Sequence, residues 1–244
     1  MLRESRTTSH ERVEMMQWTA RIGAVTAEAL ATHQGTTVAS ARARLSAAER
    51  DRLLQRRRPL VGRSALYAIT RAGLRASGLK GLHPCRVSAS NALHLIASAQ
   101  VAAALERCYP DHRVLGEREL PRDGREAGVR RASASLGIRP DGTAQRHAPD
   151  LVLWHDGHGG GSPVAVEVEL TIKAPQRLAE ICRAWARCRD VAGVLYIAPA
   201  EVARAVGRAI DRAHAGDRIV VVPLEALPAA AEAFVASAAE NRLK

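Results

Sequence analysis

From residue 112 onward, short apolar segments typical of β-strands alternate with longer segments typical of helices, and this alternation limits the possible folds most strongly. Strands are predicted at 112–120, 150–154, 164–170, 193–198 and 218–222. Helices are predicted at 90–108, 174–188 and 199–214 and in an Ala-rich tail after residue 222. Because helices separate the strands, we expect a mixed or largely parallel sheet with helices on its faces. The chain is therefore predicted to be α/β in its C-terminal half and α+β overall.

Two segments between these elements are rich in glycine and are predicted to be loops. Residues 121–147 contain six Arg against three acidic residues and are expected to form a mobile basic loop. The segment HDGHGGGS at 155–162 reads as a turn.

The N-terminal third has a different pattern, with short helices followed by a hairpin. Helices are predicted at 11–22, at 27–33 between an N-capping Thr26 and Gly35, and from Thr37 to Leu45. A capping box at 46–49 predicts a further turn or helix, and a hairpin is predicted from Leu60-Val61 to 66–69. This order is that of a winged helix-turn-helix. We therefore expect a winged-helix domain at 1–80, a linker, and an α/β domain at 90–244.

The positive charge of the chain is concentrated in that first domain. Residues 1–80 contain 15 Lys and Arg against 6 Asp and Glu, whereas residues 81–244 contain 21 against 19. A compositional bias toward arginine would explain the many bases, but it would not explain why acids are scarce at one end alone. A small, strongly basic domain indicates a polyanionic partner such as DNA.

Double-stranded DNA is the expected partner, with the helix from Thr37 to Leu45 in the major groove and the hairpin along the backbone. The side chains expected to contact DNA are Thr37, Ser40, Arg42 and Arg44 on the helix and Arg56, Arg57, Arg58 and Arg63 around the hairpin. Winged helices also dock proteins, so a non-catalytic adaptor is an alternative.

Acidic residues interrupt two of the predicted strands in the second domain. Asp150 follows Pro149 at the start of one strand, and Glu167 and Glu169 alternate with valines in the next. Residues two apart on a strand point to the same face, so Glu167 and Glu169 project together. Asp150 joins them if the two strands are neighbours. Three carboxylates at one sheet edge would suit Mg²⁺ or Mn²⁺, which can activate water for phosphodiester hydrolysis.

These residues resemble the motif of the PD-(D/E)xK phosphodiesterase superfamily, in which a helix, three strands, a helix and a strand form the core. With a winged helix in front, the chain resembles the replication-relaxation family of bacterial plasmid and mobile-element proteins over roughly residues 15–225. The motif Tyr67-x-x-Thr70-x-x-Gly73 and His94 fit that family. The resemblance implies a restriction-endonuclease-like mixed sheet and a role in plasmid or mobile-element replication, transfer or regulation.

The resemblance also implies roles for individual residues. Asp150 and Glu167 would be metal ligands, with Glu106 or an acid of the first strand, Glu117 or Glu119, completing the shell. Glu169 stands where the superfamily usually has lysine, which weighs against hydrolysis, although Lys173 could supply a displaced ammonium group. A Mg²⁺-dependent endonuclease is therefore an alternative function, with Asp150, Glu167, Glu169 and Lys173 as catalytic residues.

A purely structural interpretation of the acidic strand is also open. Acids that alternate with valines are typical of a strand with one exposed face, and Glu167 could pair with Arg177 or Arg183.

No segment of the sequence is long and apolar enough for a transmembrane helix, and the first residues lack the apolar core of a signal peptide. We expect a cytoplasmic protein with no membrane partner that could form a homodimer.

Overall fold

The structure is a computed structural model that describes residues 2–120, 132–155 and 162–227, with side chains from residue 10 onward. Its contacts divide the chain into two compact units, Met1–Ala103 and Ala104–Lys244. The division falls inside the long helix α5, Ala92–Cys108, whereas the sequence suggests a linker before this helix. The mixture of helices and strands is that of an α/β protein, as predicted.

Unit 1 combines helices with a small antiparallel sheet. Before α5 its elements are α1 (Leu2–Ile22), β1 (Ala24–Val25), α2 (Ala27–Gln34), α3 (Val38–Arg50), β2 (Leu54–Arg57), β3 (Leu66–Ile69) and α4 (Arg71–Ala76). The sheet order is β1-β3-β2. Because β3 is the central strand, all four of its residues are buried, whereas β2 buries Leu54 and exposes the three residues that follow.

Local capping signals set both ends of α2 and the start of α3, as the sequence predicts. The Thr26 hydroxyl accepts a hydrogen bond from the Ala29 N–H at 3.1 Å, and the backbone of Gly35 ends α2 in the left-handed region with φ of +61°. The Thr37 hydroxyl accepts from the Ser40 N–H at 3.2 Å and so begins α3.

Three predicted boundaries in unit 1 are wrong. Helix α1 begins at Leu2 and not at residue 11. The capping box at 46–49 starts no new element, because α3 continues through it to Arg50. Leu60-Val61 lies in the loop of the hairpin, and its first strand is β2, which pairs Arg56 with Tyr67 and Arg57 with Leu66. The strand was missed because one residue of β2 is buried and three are exposed, so no apolar alternation marks it.

Unit 2 contains a five-stranded mixed sheet with the order β10-β9-β8-β7-β4. After α5 come β4 (His112–Gly116), a 3-10 turn (Glu117–Glu119), β5 (Ala134–Ile138), β6 (Ala144–His147), β7 (Leu151–His155), β8 (Val164–Val168), α6 (Pro175–Arg187), β9 (Gly193–Ala198), α7 (Ala200–Ala213), β10 (Ile219–Pro223) and a 3-10 turn (Leu224–Ala226). Strands β4, β7 and β8 pair antiparallel, and β8, β9 and β10 pair parallel.

One face of this sheet forms the main core of unit 2 with the apolar sides of α6 and α7. Val152, Ala165, Val194 and Tyr196 from the strands pack in the same cluster as the fully buried Trp185 of α6. These strand residues share a face with Glu167. Ala165 lies two residues before Glu167 on β8, and the other three pair with one of these two residues across the sheet. The core therefore surrounds the acidic residue that the sequence singles out.

The predicted basic loop is partly wrong. Residues 134–147 form the antiparallel hairpin of β5 and β6, with a register shift between Ser135 and Gly137. Residues 121–131 lie outside the described part of the chain, as do most of the predicted turn at 155–162 and the tail after residue 227. The strand predicted at 112–120 ends at Gly116, where the 3-10 turn begins.

Candidate functional site

A cationic groove lies between the helices of unit 1 and the hairpin loop. It has a volume of about 330 Å³, and its charged lining consists of Arg42 from α3, Arg56, Arg58 and Arg63 from the hairpin, and Glu28 from α2. The four arginines are exposed. Glu28 lies 4.0 Å from Arg42. Four arginines and one glutamate give the groove a net charge of about +3.

The other side chains expected to contact DNA have different surroundings. Arg57 is exposed but lies on the opposite face of β2 from Arg56, because side chains alternate along a strand. Arg44 is bound by Glu11 at 3.1 Å and by the Gln34 side chain at 2.9 Å, so it joins α3 to α1 and α2. Thr37 and Ser40 meet in the N-cap of α3, where the Thr37 hydroxyl is already an acceptor.

The motif Tyr67-x-x-Thr70-x-x-Gly73 shapes the frame of this groove. Tyr67 is buried in β3 and lines the groove. The Thr70 hydroxyl accepts from the Gly73 N–H at 3.1 Å and donates to the carbonyl oxygen of Leu53 at 3.0 Å. Gly73 is required because an added Cβ would lie 2.2 Å from that same oxygen. The motif thus ties α4 to the start of β2.

The acidic residues of unit 2 lie at one end of neighbouring strands, as predicted. Strands β7 and β8 pair Leu151 with Val166, and continuing this register places Asp150 opposite Glu167. Glu167 and Glu169 are both buried, with 4% and 6% of their surfaces exposed. The interpretation of VEVE as a strand with one exposed face is therefore wrong.

Glu167 is held by two side chains that are distant in the sequence. Its Oε1 lies 2.7 Å from Nε2 of His147, at the end of β6, and accepts from the indole N–H of Trp185 at 2.9 Å. These partners replace the Arg177 and Arg183 suggested by the sequence, and Arg177 instead lies 3.5 Å from Glu180. Burial raises the pKa of Glu167, while the hydrogen bond and charge of His147 oppose that rise.

The carboxylate also affects the buried groups beside it. The pKa of Cys182 on α6 is raised to about 11, first by burial and then by the negative charge of Glu167. The pKa of Tyr196 on β9 is raised for the same two reasons, in the same order. The thiol and the phenol therefore stay protonated around Glu167 at neutral pH.

The other members of the predicted catalytic set are also engaged by protein groups. The ammonium group of Lys173 contacts the carboxylate of Glu169. Asp150 Oδ2 accepts from the Val168 N–H at 2.7 Å and so continues the β7–β8 pairing beyond its last backbone bond. Each acid thus has a structural partner within unit 2.

Two of the further ligands suggested for a metal, Glu119 and Glu106, lie on other elements. Glu119 accepts from the Gly116 N–H at 3.2 Å and lies 3.7 Å from Arg113. Glu106 lies half-buried on α5. In the described residues, no group of three or more His, Cys, Asp or Glu side chains could hold a metal ion. As placed, Asp150, Glu167 and Glu169 are each engaged by protein groups.

His147 and Trp185 are the neighbours of Glu167 that sequence reasoning missed. His147 falls in the segment predicted to be a loop, although it comes three residues before Asp150. Trp185 is marked by its place on the apolar side of α6, but that pattern predicts only burial. Neither signal identifies Glu167 as the shared partner.

No protein-family model, curated protein or solved structure matches this chain. Across the residues that the structure describes, every helix is too short or too polar to cross a membrane.

Proposed function

We propose that the chain binds double-stranded DNA through unit 1, acting as a winged helix-turn-helix. The observation that carries this proposal is the groove formed by Arg42, Arg56, Arg58 and Arg63. In this arrangement α3 enters the major groove and the hairpin loop lies along a phosphate backbone. The order of helices and strands in unit 1 supports the same interpretation.

The charge of the groove explains why a nucleic acid suits it better than a protein surface. Four exposed guanidinium groups repel each other, and one partly buried carboxylate offsets about a quarter of their charge. Guanidinium groups match phosphate oxygens in geometry, and the counterions that they displace from DNA provide much of the binding free energy. A protein-docking surface would instead be expected to present apolar side chains at its centre.

A salt titration tests this proposal. Duplex binding by the wild type is measured by fluorescence anisotropy between about 50 and 300 mM salt, beside the variant R42Q/R56Q/R58Q/R63Q. Each lost phosphate contact lowers the slope of log K against log salt by about 0.9, so we expect a decrease of up to about 3.6. R57Q is the matched control, because Arg57 adjoins two groove arginines in sequence but lies on the other face of β2.

Two results would contradict DNA binding by this groove. The first is an absence of salt-dependent duplex binding in the wild type, which would favour the protein-binding adaptor. The second is a loss of binding free energy in R57Q of about a quarter of that in the groove variant, because an equal loss per removed charge would indicate a response to total charge alone.

The resemblance to replication-relaxation proteins extends the proposal to its biological setting. We propose a role in plasmid or mobile-element replication, transfer or regulation, in the cytoplasm. The support for this role is the family-like motif that frames the DNA groove, together with the sheet order of unit 2.

The endonuclease alternative has one observation in its favour, since Asp150, Glu167 and the Glu169–Lys173 pair occupy one end of β7 and β8. The hydrogen bonds of these acids weigh against it. Incubation of supercoiled plasmid with the protein and Mg²⁺ or Mn²⁺, beside D150A, is expected to show no nicking. Nicking by the wild type that D150A abolishes would establish the enzyme instead.

A further inference from the structure

A second cationic pocket lies in unit 2, between the β5–β6 hairpin and the C-terminal end of α6. Its volume is about 500 Å³. The polar lining consists of Ser133, Ser135, Arg146, Arg187, Arg189 and Asp190. Three arginines against one aspartate give this pocket a net charge of about +2.

The three guanidinium groups have no carboxylate partner in the described part of the chain. All three arginines are exposed. Arg146 is oriented by Ser133, whose hydroxyl accepts from its Nη1 at 2.8 Å.

One carbonyl at the end of α6 is already bound by another arginine. Cations near a helix C-terminus are stabilised by its unpaired carbonyl groups, which is the simplest reason for Arg187 and Arg189 to be there. However, the Cys188 carbonyl that ends this helix already accepts from Arg218 at 2.7 Å. The same guanidinium nitrogen donates to the carbonyl of Val191. Arg218 therefore satisfies the Cys188 carbonyl without Arg187 or Arg189.

The wall of the pocket opposite α6 contains a β-bulge. The register between β5 and β6 shifts between Ser135 and Gly137, and bulges redirect side chains at the places where they occur. An added Cβ at Gly137 would meet no atom within 4 Å, so the wall faces open space. Hydroxyl donors and guanidinium groups thus surround a volume large enough for a phosphate group with its substituents.

We propose that this pocket binds a phosphate group. Guanidinium groups donate paired hydrogen bonds to phosphate oxygens, and the serine hydroxyls supply further donors. The phosphate belongs either to a nucleic-acid backbone or to a free phosphorylated molecule. The inference rests on unit 2 alone and does not require the DNA-binding role proposed for unit 1.

The direct test uses inorganic pyrophosphate as the probe with the full-length protein. Isothermal titration calorimetry at constant ionic strength compares the wild type with R187Q/R189Q and with R204Q/R208Q. The last variant removes the same charge from exposed positions on α7 that do not line the pocket. We expect R187Q/R189Q to bind pyrophosphate at least about tenfold more weakly, and the control to change less than about twofold.

A second measurement identifies the source of the phosphate. The variant R42Q/R56Q/R58Q/R63Q lacks the groove charge of unit 1. Its residual duplex binding is compared with that of the same variant carrying R187Q/R189Q as well. A further loss, absent with R204Q/R208Q, supports a nucleic-acid backbone. Pyrophosphate binding that depends on the pocket arginines without such a loss supports a free phosphorylated molecule.

The proposal is overturned if R187Q/R189Q changes the affinity for neither pyrophosphate nor duplex DNA, or if R204Q/R208Q reduces these affinities equally. Circular dichroism of each variant checks that the fold is kept, as expected for substitutions at exposed positions. Failure of DNA binding by unit 1 leaves the pyrophosphate measurement interpretable, so the two proposals fail separately.

Discussion

Substitution of Trp185 by phenylalanine is expected to destabilise unit 2 mainly through one hydrogen bond. The indole N–H donates to the Glu167 carboxylate at 2.9 Å, and both residues are buried. Phenylalanine fills most of the same space but has no donor. The carboxylate would then keep His147 as its remaining partner in the core.

The expected cost has two parts. A hydrogen bond to a charged group contributes about 1.5–3 kcal/mol. The smaller ring leaves roughly 40 Å³ unfilled, which at about 24 cal/mol per Å³ costs about 1 kcal/mol. Trp185→Phe should therefore lower the free energy of unfolding by about 2.5–4 kcal/mol.

A double-mutant cycle with Glu167→Leu separates these two parts. The lost contact with His147 is common to both variants that carry the leucine and cancels in the cycle. The double variant should be less destabilised than the sum of the single variants by about 1.5–3 kcal/mol, the value of the hydrogen bond.

Hydrogen exchange of the β7, β8 and β9 amides is the suitable assay, because it reports the opening of unit 2 without a contribution from unit 1. Far-UV circular dichroism during urea unfolding gives an independent value for the whole chain. A coupling free energy below about 0.5 kcal/mol would be within the range of independent sites and would refute the proposed hydrogen bond.

Three further expectations concern buried groups and close packing. Because burial raises the pKa of Glu167, its neutral form stabilises the fold at low pH, and this contribution is lost as pH rises through the raised pKa. Glu167→Gln should therefore gain stability relative to wild type as the pH rises above the ordinary pKa of a glutamate, measured in urea titrations; a constant difference would contradict this. With its pKa raised to about 11, Cys182 should resist a thiol reagent at pH 8 while the partly exposed Cys85 reacts; equal rates would contradict its burial. Gly73→Ala should cost about 1–3 kcal/mol, because the new methyl group would overlap a backbone oxygen. Gly207→Ala on α7 meets nothing within 4 Å and should instead stabilise by up to about 1 kcal/mol, so equal thermal shifts would refute the packing argument.

Features that depend on neighbours in the sequence were predictable. The caps at Thr26, Gly35 and Thr37 act within one helical turn, so residue type alone indicates them. The alternation around Glu167 places it and Glu169 on one face, because side chains alternate along any strand. Apart from the β5–β6 hairpin, the helix–strand order of unit 2 follows equally from local periodicity.

Features that depend on exposure or distant pairing were not predictable. Strand β2 carries three exposed residues, so its pairing with β3 leaves no apolar pattern to read. The same pairing brings Arg56 and Arg58 to the groove and turns Arg57 away from it.

The surroundings of Glu167 were decided by tertiary structure alone. The β5–β6 hairpin brings His147 to Glu167 from 20 residues away, and the packing of α6 brings Trp185 to it from 18 residues away in the opposite direction. From the sequence, these acids suggested metal ligands at a sheet edge. In the folded chain they lie where protein donors satisfy them, because burying a carboxylate without partners would cost more free energy than a small domain can offset.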